Sequence, residues 1–232
     1  MTDTPHTSER GLLGSLHGTY LAKVLSVMDP ENLGRVQVRL LTAPESLADP
    51  DVGLWARVAV PFSGNGWGAY FLPDKGDEVA VVFVNGDPRQ PLVVGGLWNG
   101  SARPPESLGG DRVDRYAIKA RHGSRIAIVE ESEGNAKITL EVPGAVSATL
   151  SQSSGGKLTL EAAGNIITLD TQGVTVQAGS KVSVSAGQVE VSAGQVTVNA
   201  AMASFSGVVQ CSTLQATTVI SSTYTPGAGN VW

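Results

Sequence analysis

The chain has 232 residues, 28 of them glycine against four each of Trp, Tyr and Phe, and a formal charge of −5 from 16 Lys and Arg and 21 Asp and Glu. That length suits one large or two small domains, and the negative balance repels a phosphate backbone, which excludes non-specific nucleic-acid binding. Cys211 is the only cysteine, and His6, His17 and His122 are too scattered to form a ligand set, so an intrachain disulfide, a thiolate zinc site and the usual metal catalysis are excluded.

Residues 1–16 form an N-terminal extension that carries Asp3 and Glu9 and only a broken apolar patch of Leu12, Leu13 and Leu16, unlike a secretory signal. No apolar run approaches the ~20 residues of a membrane-spanning helix, so the expectation is assembly in the cytoplasm. Five segments then read as strands: Tyr20 to Val27, Gly34 to Leu41, Leu54 to Pro61, Glu78 to Val84 and Pro91 to Trp98. Turn chemistry separates them, at Asp29-Pro30, Ala43-Pro44, Ser63-Gly64-Asn65-Gly66, Pro73-Asp74-Lys75-Gly76 and Asn85-Gly86-Asp87-Pro88. Short strands so spaced predict an OB-like barrel over residues 17–100.

Pro104-Pro105 and Gly109-Gly110 mark residues 101–115 as a linker. From residue 116 short strands follow one another, at Arg125 to Val129, Lys137 to Val142, Lys157 to Glu161 and Ile166 to Asp170. From Ala145 to the end only Lys157, Glu161, Asp170, Lys181 and Glu190 carry charge, yet the abundance of β-branched residues opposes a reading as disorder.

Within this stretch Val174-Thr-Val176, Val182-Ser-Val184, Val189-Glu-Val191 and Val196-Thr-Val198 recur, each followed by a small residue or two and, in the first three, by glycine. The step of about seven residues is that of a coiled coil, but Val at i and i+2 with a glycine in each unit is poor helix chemistry and good strand-and-corner chemistry. Paired valines lie on one face of a strand, and the Ala-Gly step permits the corner. Two buried valines do not offset the entropy of fixing a seven-residue backbone, so a lone rung cannot persist. A continuous ladder must supply the rest, either as a solenoid of one chain or as a prism of several.

Ordered motifs in the first half carry a family resemblance. Asp29-Pro30, Gly34-Arg35-Val36, Trp55-Ala56-Arg57-Val58, Gly66-Trp67-Gly68, Tyr70-Phe71-Leu72-Pro73, Lys75-Gly76-Asp77-Glu78-Val79, Gly86-Asp87-Pro88 and Gly95-Gly96-Leu97-Trp98-Asn99 together resemble the OB domain of phage baseplate assembly protein V and of VgrG-type spikes of contractile injection systems. The second half is similar to the triple-stranded β-helix of those spikes through its repeat. The resemblance implies an all-β chain, with an N-terminal OB-fold barrel followed by an intertwined triple-stranded β-helix over residues 116–223, as a homotrimer. It also implies a central spike without enzymatic activity or cofactor in the baseplate of a phage virion or injection particle. Such a spike docks on a separate hub protein and punctures the target cell envelope. A PAAR-repeat tip protein would sit on residues 224–232, with Tyr224, Pro226, Asn230, Val231 and Trp232 as its docking residues. No His follows His122, which speaks against an iron-bound, self-sharpened tip.

The alternatives are a trimeric β-helical adhesin and an OB module for single-stranded nucleic acid. The first calls for receptor-binding loops along the shaft, and the second for a basic groove with stacking aromatics. Gly64-Asn-Gly66-Trp-Gly68 lacks the GK[ST] and helix of a phosphate loop. The carboxylates of Asp77-Glu78 and Glu130-Glu131 diverge if they lie on strands, which opposes paired-acid hydrolysis. Cys211 reads as a small buried thiol rather than a nucleophile, and Asp29, Gly34 and Asp87 read as setters of loop geometry.

Overall fold

A computed structural model describes residues 16–41 and 53–223. The candidate tip residues Tyr224, Pro226, Asn230, Val231 and Trp232 lie outside them. The chain divides into two units, Met1–Lys181 and Val182–Trp232.

In the first unit β1 (Thr19–Ser26), β2 (Val36–Leu40), β3 (Leu54–Val58), β6 (Glu78–Phe83) and β7 (Pro91–Leu97) close a barrel in the order β1-β2-β3-β7-β6. β1 bridges two neighbours, Ala22 lying opposite both Leu40 and Val79. The parallel pair β3–β7, with Arg57 beside Leu92 and Val58 beside Val93, completes the circuit. Alternation explains why these five segments are strands: Ala22, Val24, Val36, Val38, Leu40, Ala56, Val79, Val81 and Val93 turn inward and are buried, while the residues between them face out. Small β-branched side chains fill so narrow a barrel, with Phe83 closing one end edge-on to Tyr20 at 5.5 Å. The hairpin of β4 (Ser63–Gly64) and β5 (Trp67–Gly68) stands off the barrel as a separate two-stranded sheet.

Residues 101–114 are irregular and lead into a seven-stranded antiparallel meander. Its strands are β8 (Arg115–Lys119), β9 (Arg125–Glu130), β10 (Ala136–Val142), β11 (Val146–Ser151), β12 (Lys157–Ala162), β13 (Asn165–Asp170) and β14 (Gly173–Gln177). Each strand pairs with its neighbour in sequence, so tight turns suffice. The sheet has no core of its own: among its described residues only Ala127 and Thr139 are buried.

In the second unit, residues 182–223 contain no assigned strand, and every residue is exposed. Cys211, read from the sequence as a buried thiol, is exposed there, because the described residues of this unit form no strand or core that would enclose it. Among the described residues no helix is long and apolar enough to cross a membrane.

Candidate functional site

The meander is amphipathic in two dimensions. Register places Tyr116 against Ile128 and Ile118 against Ile126, and both of these continue onto Ile138 and Leu140 of β10. Leu140 lies opposite Ala148, which lies opposite Leu160, which lies opposite Ile167, so the apolar rows run unbroken across the sheet. Val174 and Val176 end them on β14. Most of this face is open: Ile118 is 54 % exposed, Leu140 46 % and Val174 69 %. An apolar area of this extent on a folded chain marks a contact surface.

On the other face the same register builds a threonine row, Thr139 opposite Thr149, Thr149 opposite Thr159, Thr159 opposite Thr168 and Thr168 opposite Thr175. Cross-strand Thr pairs suit a pleated surface; Thr139 is buried, Thr149, Thr159 and Thr168 are half-buried, and Thr175 is exposed. Here the linker is anchored. Arg125 donates through Nε to Glu106 Oε1 at 2.7 Å and through Nη1 to Thr139 Oγ1 at 3.0 Å, with Glu141 3.5 Å away. The guanidinium holds the Glu106 carboxyl below its ordinary range, and Glu106 in turn raises Arg125. Arg115 binds Asp114 at 2.8 Å and lowers it likewise. Arg121 pairs with Asp74 of a barrel turn. Glu106 and Asp114 thus tie the linker to arginines of β9 and β8. A hollow lined by Phe71, Trp98, Pro105 and Ile118 joins the aromatic end of the barrel to the open apolar face.

The valine repeats of the second unit carry the same chemistry with less support. Val182, Val184, Val189, Val191, Val196 and Val198 are all more than half exposed, and among the described residues no strand is assigned after β14.

On the barrel, two aspartates fix the turns, as their positions in the sequence suggested. Asp29 is only 4 % exposed at its side chain and accepts from the backbone N–H groups of Glu31, Leu33 and Arg35 and from the Arg35 guanidinium, at 2.8–3.1 Å. The Arg35 guanidinium is the main reason its carboxyl is driven far below the ordinary range. Gly34, at φ +73°, takes the left-handed conformation this turn demands. Asp87 accepts from Arg89 N, Nε and Nη2, and its pKa falls to about 2. Arg35 also lies over the Trp55 ring, 5.7 Å from its centroid.

The β4–β5 hairpin is absent from the sequence reading, which treats Gly64 to Gly68 only as a loop. Trp67 folds back over Gly64 so closely that a Cβ there would lie 2.3 Å from the indole, and Phe62 meets the same ring at 6.1 Å. Trp67 itself remains 65 % exposed, beside the exposed rings of Tyr70 and Phe71. In the two carboxylate pairs, Glu78 is engaged by Asn99 Nδ2 at 2.8 Å and Glu131 by Arg115 at 3.5 Å.

Comparison with known proteins agrees with the barrel. Residues 20–98 match a family described as the type VI secretion system/phage-baseplate injector OB domain. The chain is 33 % identical over 108 residues to the type VI secretion system spike protein VgrG4b of Pseudomonas aeruginosa, the match covering 40 % of this chain and 13 % of that protein. It is 38 % identical over 78 residues to VgrG5 of the same organism, and 35 % identical over 78 residues to VgrG3 of Vibrio cholerae; these matches cover 34 % of this chain and 10 % and 8 % of the two spike proteins. The chain therefore spans about an eighth or less of the length of these relatives. The barrel topology and the matched residues coincide, so residues 20–98, about a third of the chain, are similar in sequence and in strand order to the type VI secretion system/phage-baseplate injector OB domain.

Proposed function

We propose that the chain is the structural, non-catalytic central spike of a contractile tail or injection-system baseplate, acting as a homotrimer that docks on a hub protein and punctures the target envelope. The observation that carries this reading is the apolar face that runs from Tyr116 to Val176 and continues in chemistry into the unpaired valine repeats. A face so apolar needs a cover of equal length and matching register, which further copies of the same chain supply. Three copies suit the repeat. Two valines and a corner make one side of a triangular rung, and as each chain steps to the next side, the strands above and below it come from the other two chains. Backbone groups left unpaired within one chain are then satisfied between chains. The threonine row and the anchored linker face outward, giving a narrow, weakly charged, stiff shaft. A small PAAR-type protein on Tyr224 to Trp232 completes the point.

Light scattering on the purified chain tests this reading. Three chains of 23.9 kDa give about 72 kDa, with an SDS band that runs high unheated and collapses on boiling. A 23.9 kDa monomer at micromolar concentration refutes it. For the tip, capture of a PAAR-type protein should be lost on deleting residues 224–232, and undiminished capture removes that part.

A further inference from the structure

One dipeptide, Asn-Gly, stands at three turns in and just beyond the barrel: Asn65-Gly66, Asn85-Gly86 and Asn99-Gly100. In the sequence the three are equivalent turn signals. They also share a chemical weakness. The backbone nitrogen that follows an asparagine can attack that residue's own side-chain amide, and a glycine there puts no Cβ in the way. Because the reaction is intramolecular, its rate follows how freely the two groups reach an attack geometry. The fold treats the three turns differently.

Asn99 is held at both ends of its amide. Its Nδ2 donates to Glu78 at 2.8 Å, and its Oδ1 accepts from the backbone N–H groups of Ser101 at 3.2 Å and Ala102 at 2.9 Å. Turning the amide carbon onto the Gly100 nitrogen breaks these bonds, and the negative charge of the attack develops beside the Glu78 carboxylate. Asn85 is locked through its backbone. It sits at φ 53° inside a turn closed by Asp87 N–H donating to the Val84 carbonyl at 3.0 Å. The nitrogen that would attack belongs to Gly86, which is buried and whose carbonyl accepts from Leu16 N–H at 3.0 Å, so it moves only by disturbing packed neighbours.

Asn65 has neither restraint. Asn65 and Gly66 are the two exposed loop residues between β4 and β5, just past the last pair of that ladder, Gly64 and Trp67. Among the described residues no hydrogen bond engages the Asn65 side chain or the Gly66 N–H. The space around Gly66 is open, and a Cβ built on it would meet nothing within 4 Å.

We propose that Asn65 is a site of spontaneous deamidation from which the fold protects Asn85 and Asn99. The Gly66 nitrogen loses its proton and bonds to Asn65 Cγ, the Cγ–Nδ2 bond breaks, and ammonia departs from a five-membered succinimide. Water then opens the ring. Attack at the side-chain carbonyl gives aspartate, and attack at the main-chain carbonyl gives isoaspartate, in which the main chain runs through Cβ and Cγ. The second product lengthens a two-residue loop by one methylene, so the pairing of Gly64 with Trp67 is lost and the indole leaves its glycine.

The test keeps the full chain folded at mildly alkaline pH, samples it over days and cuts it with trypsin, which places the three asparagines in separate peptides, residues 58–75, 76–89 and 90–112. Mass spectrometry follows the exchange of amide for acid in each, and chromatography separates isoaspartyl from aspartyl chains. Asn65 is expected to convert about tenfold faster than Asn85 or Asn99, the effect of a few hydrogen bonds that must break before attack. In guanidinium chloride, which removes the fold, Asn85 and Asn99 should rise toward the rate of Asn65. The proposal is overturned if Asn85 or Asn99 keeps pace with Asn65 in the folded chain, or if Asn65 converts only after unfolding. It is equally overturned if the lead of Asn65 persists undiminished in guanidinium chloride, which would assign it to neighbouring sequence, or if aspartate forms without isoaspartate, which would mean hydrolysis without ring closure.

Discussion

Leu140 stands at the centre of the apolar face, opposite Ile126 on one side and Ala148 on the other, and is 46 % exposed in the single chain. Truncating it to alanine therefore has two very different costs. If the face meets water, only the half already buried is lost, about 1 kcal/mol. If other copies cover it, the whole side chain is removed from a packed interior, at about 2–5 kcal/mol per chain. A domain of this size loses roughly 2–4 °C in Tm per kcal/mol, so the outcomes differ between about 2–4 °C and about 4–20 °C at fixed protein concentration. Leu140→Asp sharpens the contrast. In a solvated face the carboxylate is harmless, whereas in a three-fold interior it brings three charges together without partners and the mass falls to 23.9 kDa. Thr149→Ser on the opposite face should change stability by no more than about 0.5 kcal/mol. Thermal melting followed by circular dichroism, with light scattering on the same samples, gives both readings. A Tm within about 4 °C of the parent for Leu140→Ala, together with an unaltered mass for Leu140→Asp, refutes the covered-face argument.

Gly64→Ala drives a methyl group into the Trp67 indole and should open the β4–β5 hairpin, costing about 1–3 kcal/mol and shifting tryptophan emission to the red. Arg125→Ala frees Glu106 from the sheet and leaves Thr139, 4 % exposed, without its donor; a loss of about 1–3 kcal/mol is expected, with faster proteolysis within residues 101–114. The carboxyl of Asp87 is lower in the fold than its ordinary 3.8, so its stabilisation is complete above that value and disappears as the pH falls through about 2, with that of Asp29 lost lower still. Urea midpoints measured from pH 7 to pH 2 should decline accordingly, and Asp87→Asn should flatten the decline.

The five barrel strands were legible because each is a short alternating run bounded by Asp, Asn, Gly or Pro, and their observed limits differ from the expected ones by three residues at most. The turn roles of Asp29, Gly34 and Asp87 were legible for the same reason. The β4–β5 hairpin was not, since two-residue strands leave no period to detect and their stability comes from a ring folding onto a glycine. β11 escapes a reading by pattern because Val146 to Ser151 alternates Val, Ala and Leu only with Ser and Thr, which resembles low complexity. Its place in the apolar rows emerges from register against β10, where Ile138 lies opposite Leu150 and Leu140 opposite Ala148. The valine repeats announced their need for partners, yet one chain cannot reveal which strands lie alongside. The structure also divides the chain at Lys181, later than the composition break, because neighbouring strands continue to pair within the chain as far as β14.

That change from pairing within the chain to none at all has a kinetic meaning. Every strand pair in the meander joins neighbours in sequence, so its hydrogen bonds form quickly and at a rate independent of concentration. The rungs beyond Lys181 have no such route, and in the proposed trimer they wait for encounter between chains. Dilution should therefore slow the maturation of the distal shaft while leaving formation of the barrel and meander untouched. Newly made chains gathered close together, as on a shared message, would complete the point soonest.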